Sequence, residues 1–213
     1  AWIPYIEEFA HKHSCHVSVS TFWNSLFKKE YPDIDFIEPG GVVQDVYASY
    51  EIGCLDDDMG IMHKKDWRTI PLQKVAADIL GLDFKEIRPR VSVPELPRTQ
   101  EKDYVSVSEF STMQCKFWNL EHGWEELVSE IKSMDLQVMS VSKEKTRLKK
   151  VRRCNDKSME ETIRNIYYSK AFIGVGSGLS WLAWALGKPV VLVSGFSEAF
   201  CEFSESASVS RVL

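Results

Sequence analysis

The chain has 213 residues, enough to bury one large core or two modest ones, and its 44% hydrophobic and 27% charged residues are the balance of an ordinary globular protein. A formal charge of −5 gives no support to a nucleic-acid partner, and no apolar run approaches the ~20 residues needed to cross a bilayer. No basic segment leads into an apolar one near the start, so no signal peptide is visible. Five cysteines, at 15, 54, 115, 154 and 201, lack CxxC spacing, which reads as thiols in a reducing, cytoplasmic compartment. The chain opens at Ala1-Trp2 without a methionine and ends at Arg211-Val212-Leu213, as expected of a piece cut from something longer.

Ile3, Ile6, Phe9 and Ala10 recur at helical spacing and predict an amphipathic helix over 2–12. Cys15 to Val19 alternates as a short strand, and Thr21 is expected to cap a helix that buries Phe22, Leu26 and Phe27. Ile34 to Ile37 reads as another strand, closed by Pro39-Gly40-Gly41. Asp45 to Ile52 alternates in the strand sense. Asp56, Asp57 and Asp58 lack a metal-loop pattern and read as a solvated turn. Thr69 is expected to cap a helix with Pro71 in its first turn, an apolar face of Leu72, Val75, Ala76, Ile79 and Leu80, and a stop at Gly81.

Pro89, Pro94 and Pro97 break every helical period, so residues 89–102 read as a linker between a domain at 1–88 and another at 103–213. Tyr104 to Val107 opens the second half as a strand. Trp124, Leu127, Val128, Ile131 and Met134 mark a helix, and Leu136 to Val141 the next strand. The basic run 143–153 reads as an exposed loop. Ser158 and Glu161 form a capping box for a helix carrying Met159, Ile163, Ile166 and Tyr167.

The most informative stretch is Ala171 to Ser197, which reads as strand, tight turn, buried helix and strand. Gly187 supplies a left-handed stop and Pro189 keeps the helix from continuing. In the turn Gly176-Ser177-Gly178, glycines let backbone approach a ligand, while the helix start presents free N–H groups and a partial positive charge. A phosphate suits it. Strands alternating with helices in both halves predict an α/β chain of two Rossmann-like doubly wound domains, each binding ligands at the carboxyl ends of its strands. The spacing Gly174-Val175-Gly176-Ser177-Gly178 is not GxGxxG, and no Lys-Ser or Lys-Thr follows it, which disfavours a nicotinamide dehydrogenase or a Walker-type NTPase.

A second cluster follows the strand at Tyr104. Ser111 and Thr112 lie just past its end, with Lys116 four residues beyond Thr112, and hydroxyls plus one ammonium suit a diphosphate. Trp118 offers either a core contact or a stacking face. Ser177 is either a plain N-cap or a ligand contact.

Four motifs carry a resemblance to a known family: Ala1-Trp2-Ile3-Pro4-Tyr5, Asp66 to Lys74 (DWRTIPLQK), Lys116-Phe117-Trp118-Asn119 and Gly178 to Trp184 (GLSWLAW). The chain resembles the bacterial autotransporter O-heptosyltransferases over nearly its whole length, and the last two motifs are the most specific. The resemblance implies a GT-B enzyme that moves heptose from an ADP-sugar donor to Ser or Thr hydroxyls of an autotransporter-like protein acceptor. By analogy it places Lys116 and the backbone of Gly176, Ser177, Gly178, Leu179 and Ser180 on the donor diphosphate, beside Ser111, Thr112 and Trp118 from the reading above. It further implies a catalytic carboxylate just before Ala1, an iron-type metal site downstream of Leu213, and no cofactor within residues 1–213. An assembly of several copies is compatible with it. A non-catalytic nucleotide-sugar-binding module and a sugar-nucleotide epimerase are the alternatives.

Overall fold

The computed structural model describes residues 1–53, 69–93, 95–154, 158–195, 201–203 and 209–212, so Asp56 to Asp58 and Asp66 to Arg68 lie outside the described residues. The chain divides into two compact units, 1–92 with 197–205, and 93–196 with 206–213, and each has its own parallel sheet.

In the first unit, Ile3–His13 forms helix α1, with Pro4 in its first turn where no N–H is needed and Ser14 closing it in the left-handed region at φ 48°. Strands β1 (Val17–Ser20) and β2 (Ile34–Ile37) pair in parallel, Val17 opposite Ile34. Helix α2 is Leu72–Ile79, and Gly81 at φ 63° ends it. Pro71 is its N-cap, so Thr69 stands outside the cap. The core joins Ile3, Tyr5, Ile6, Tyr31, Ile34, Phe36, Ala76 and Ala77.

At its centre stands Gln73, 2% exposed, a polar group on a face expected to be apolar. Its amide is tied to the backbone on both sides. Nε2 donates to the carbonyls of Ala1 (2.9 Å) and Ile87 (2.6 Å), while Oε1 accepts from Ile87 N–H (3.0 Å) and lies 3.2 Å from the Tyr5 hydroxyl, whose proton is shared with the Lys85 carbonyl. The proline-containing stretch that leaves this unit is also tied to it. Arg90 grips Glu7 with both guanidinium nitrogens, at 3.2 and 2.7 Å, and lies 4.1 Å from the Tyr31 ring centre.

Two expectations fail here. Thr21 heads a single 3-10 turn, Asn24–Leu26, and Phe22 is 87% exposed. The Thr21 hydroxyl bonds the Asn24 side chain (2.9 Å) and Trp23 N–H (3.0 Å), a local loop closure that competes with a helix start. Asp45 to Ile52 is not a strand, because Asp45 takes φ 56° and no strand lies beside it among the described residues. Alternation alone stabilises nothing without a partner edge.

The second unit carries a six-stranded parallel sheet in the order β5-β4-β3-β6-β7-β8. Its strands are β3 (Tyr104–Ser108), β4 (Gln137–Ser140), β5 (Arg152–Arg153), β6 (Phe172–Val175), β7 (Val190–Val193) and β8 (Val209–Val212). Helices α3 (Gly123–Ser133), α4 (Met159–Tyr167) and α5 (Gly178–Ala185) fall between them in sequence. Renumbered from β3, the order is 3-2-1-4-5-6, the doubly wound arrangement whose winding reverses between its first and fourth strands. Here that reversal lies between β3 and β6.

The basic run is more than an exposed loop, since Thr146 and Leu148 are buried and Arg152–Arg153 forms the edge strand. Ser158 Oγ accepts from Glu161 N–H at 3.2 Å as a cap should. The Glu161 carboxylate is meanwhile engaged by Asn165 Nδ2 at 3.1 Å and by the Arg164 guanidinium, both on its own helix.

The Tyr104 hydroxyl donates to the Asn165 carbonyl at 2.8 Å, and burial pushes its phenol up to about 12 from an ordinary 10.0. The folded chain then holds a proton that the unfolded chain releases, so stability falls as pH climbs from about 10 to about 12. Tyr104→Phe should cost about 1 kcal/mol at neutral pH and flatten that alkaline slope. Urea unfolding at pH 7 and pH 11 checks both, and an unchanged slope contradicts the assignment.

Candidate functional site

Ligands of doubly wound sheets bind outside the carboxyl ends of the strands, at the point where the winding reverses. The loops leaving β3 and β6 meet there. The Ser111 hydroxyl donates to the Gly176 carbonyl at 3.2 Å, so two stretches 65 residues apart in sequence are joined side by side. Thr112 is exposed beside Ser111, and Lys116 is half-buried at the end of a 3-10 turn, Gln114–Lys116. Phe110 and Phe117 close this loop edge to face, with ring centres 5.6 Å apart.

Across the reversal, α5 starts at Gly178 with Ser177 as its N-cap. Ser180 Oγ accepts from Ser177 N–H at 3.1 Å and donates to the Ser177 carbonyl at 2.7 Å, which fixes the turn. Ser180 is fully buried, and Leu179 is half-buried. Among the described residues, a Cβ added at Gly178 would meet no heavy atom within 4 Å, so their packing does not demand glycine there. Gly174 is the reverse case. A Cβ on it would sit 2.8 Å from the Ser108 carbonyl oxygen and 2.9 Å from the Phe172 ring.

Trp118, two residues past Lys116, packs against the helix that follows. Its ring stands edge to face with Trp124 at 5.3 Å, and a Cβ on Gly123 would touch it at 2.9 Å, so it is packed against α3 and the core. Two features had no signal strong enough to be read from sequence. Glu109, one residue past β3, is a buried carboxyl, and Ser108 Oγ lies 3.1 Å from Ser142 Oγ at the end of β4. An acid directly following a wholly buried strand is the only trace they leave.

No family model matches the chain. It is 32% identical over 215 residues to the autotransporter heptosyltransferase BAHTCr of Citrobacter rodentium, covering 95% of this chain and 52% of that protein. It is 31% identical to the autotransporter heptosyltransferase TibC of Escherichia coli O78:H11, over 95% of this chain and 53% of TibC. The inactive autotransporter heptosyltransferase BimC of Burkholderia thailandensis is 30% identical, over 95% of this chain and 51% of its own length. The chain thus spans about half the length of the curated relatives it matches.

The crystal structure of TibC, described as a bacterial iron-containing dodecameric glycosyltransferase, superposes with a TM-score of 0.88 at 31% identity, covering 99% of this chain and 57% of TibC. TibC in complex with ADP-D-β-D-heptose gives 0.85, at the same identity and coverage. The E. coli ADP-heptose lipopolysaccharide heptosyltransferase II shares the fold, with a TM-score of 0.51 at 16% identity over 68% of this chain and 54% of that one.

The fold is therefore α/β of the GT-B type, the class of glycosyltransferase scaffolds built from Rossmann-like halves. Within that class, the chain is homologous over nearly all its length to the autotransporter heptosyltransferases.

Proposed function

We propose that this chain supplies the donor-binding part of an autotransporter-type heptosyltransferase, which moves heptose from ADP-heptose to Ser or Thr hydroxyls of a protein acceptor. The observation that carries the reading is the Ser111–Gly176 hydrogen bond at the winding reversal, where a nucleotide is bound in such sheets. The homology to TibC, whose structure is described with ADP-heptose, supports the same donor. In this reading residues 103–213 hold the donor, 1–88 face the acceptor and 89–102 link them.

Thr112 and Lys116 meet the diphosphate from one side, and the N–H groups of Gly176, Gly178 and Leu179 meet it from the other; Ser111, Ser177 and Ser180 spend their protons within the two loops and shape the turn. As the sugar leaves, negative charge grows on the diphosphate, and the Lys116 ammonium with the start of α5 stabilises it. A carboxylate takes the proton from the acceptor hydroxyl. In this reading that carboxylate lies before Ala1, outside residues 1–213. Trp118, packed on Trp124, serves as a wall under the site.

TibC is described as iron-containing. Among the described residues no three His, Cys, Asp or Glu side chains are grouped to hold a metal, so the residues present do not fit an iron site and no step is drawn through iron. Assembly of several copies belongs to the same reading, since TibC is described as dodecameric. So does a cytoplasmic setting, in keeping with five cysteines that lack CxxC spacing. No helix among the described residues is long and apolar enough to cross a membrane.

The name of the BimC relative favours one second reading, a nucleotide-sugar-binding module without turnover. Incubating the full-length protein with ADP-heptose and an autotransporter passenger domain separates the readings. Release of ADP with heptose on the acceptor is expected. Donor binding without release would favour the module, and sugar isomerisation without acceptor would favour the epimerase.

A further inference from the structure

The loop leaving β3 is bonded to the loops on both sides of it. Toward β6 it uses Ser111 on Gly176, and toward β4 it uses Ser108 on Ser142 and then Glu109. Glu109 is 6% exposed and reaches across to residues 146 and 147. Arg147 N–H donates to Glu109 Oε1 at 3.0 Å, and the Thr146 hydroxyl donates to Oε2. Thr146 Oγ1 uses its one proton on Glu109 and also accepts from Leu148 N–H at 3.1 Å.

Between β4 and β5 the backbone has no helix of its own to hold its course. Thr146 and Leu148 turn inward, while Lys145, Arg147 and Lys149 are exposed. A buried carboxyl is costly unless both oxygens are satisfied, and a loop without regular structure is costly to order. Each need is met by the other, so Glu109 and the loop are fixed together.

We propose that Glu109 is a positioning residue for the nucleoside end of the donor: it holds the loop after β4 along the open end of the sheet as a preformed wall. The proposal rests on the donor-binding reading above. In a sheet wound in this order the end of the second strand, here β4, meets the ribose, next to the phosphate site at the reversal. Glu109 acts through the backbone of Arg147 and does not itself touch the nucleotide.

The test is calorimetric titration of the full-length protein and its Glu109→Gln and Thr146→Val variants, with ADP and with inorganic pyrophosphate. Each variant should bind ADP about tenfold more weakly, the scale of one lost charge-assisted hydrogen bond. The double variant should be little worse than either single one, because both break one link. Pyrophosphate, which lacks the nucleoside, should bind all four forms within about twofold of one another, the range of a substitution that leaves its site alone. Unchanged ADP affinity overturns the proposal, and so does an equal loss for both ligands, which a merely structural role would give. If the wild-type protein binds neither ligand, the donor-binding reading itself fails. Thermal melts establish that each variant is folded, and Thr146→Val alone carries the test if Glu109→Gln is not.

Discussion

Lys116→Ala in the full-length protein is expected to lower donor use by about 10- to 150-fold, the span that corresponds to a charge-assisted contact of about 1.5–3 kcal/mol. Lys116 ends the 3-10 turn in the loop whose Ser111 is bonded to the glycine turn, so its ammonium is carried by the element nearest the winding reversal. If it acts mainly on charge that develops in the leaving diphosphate, turnover should fall more than donor affinity. Lys116→Arg should rescue only in part, since a planar fork does not replace a compact ammonium in a tight site. Steady-state kinetics on both variants decides. A surface lysine would change neither quantity by more than about twofold, and that outcome removes Lys116 from the site.

Gly174→Val should strongly destabilise the second unit. Gly174 lies in β6 opposite Ser108 of β3, and any Cβ there is forced to 2.8 Å from the Ser108 carbonyl. That neighbour is backbone in a hydrogen-bonded ladder and has no rotamer by which to give way. Overpacking of this kind costs about 3 kcal/mol, enough to consume much of a small domain's margin. The strain also falls on the two strands that define the candidate site, so ligand binding should be lost together with the fold. A melting temperature within about 2 °C of wild type would mean that β3 and β6 separate more easily than their packing implies.

Legibility followed physical locality. The stretch from Phe172 to Val193 was readable because its apolar strands, its glycine turn and its Gly187–Pro189 stop all act within a few residues of each other. The Ser111–Gly176 contact was half readable. Hydroxyls and an ammonium past a strand end point to a diphosphate, yet only parallel pairing of β3 with β6 brings the two loops together.

The misreadings have the opposite cause. Asp45 to Ile52 alternates without a partner strand, and Thr21 spends its hydroxyl on a loop closure with Asn24. The basic run hid Thr146, which is held by Glu109, 37 residues away in sequence, and Leu148, which packs into the apolar core. Glycine was similarly ambiguous. Gly174 is required by packing and Gly178 is not, although both sit in one glycine-rich string. Nothing in the string separates a glycine kept for the fold from one kept for a ligand.

That difference supplies the most direct measurement. Gly178→Val places a branched side chain where the described residues leave open space, so the variant should fold as the wild type does, with a nearly unchanged melting temperature. It should nonetheless bind ADP at least about tenfold more weakly by calorimetric titration, because the side chain blocks the approach of diphosphate to the N–H groups at the start of α5. Wild-type ADP affinity in the folded variant would contradict the account, since the glycine turn would then be a structural element and not the place where a donor is held.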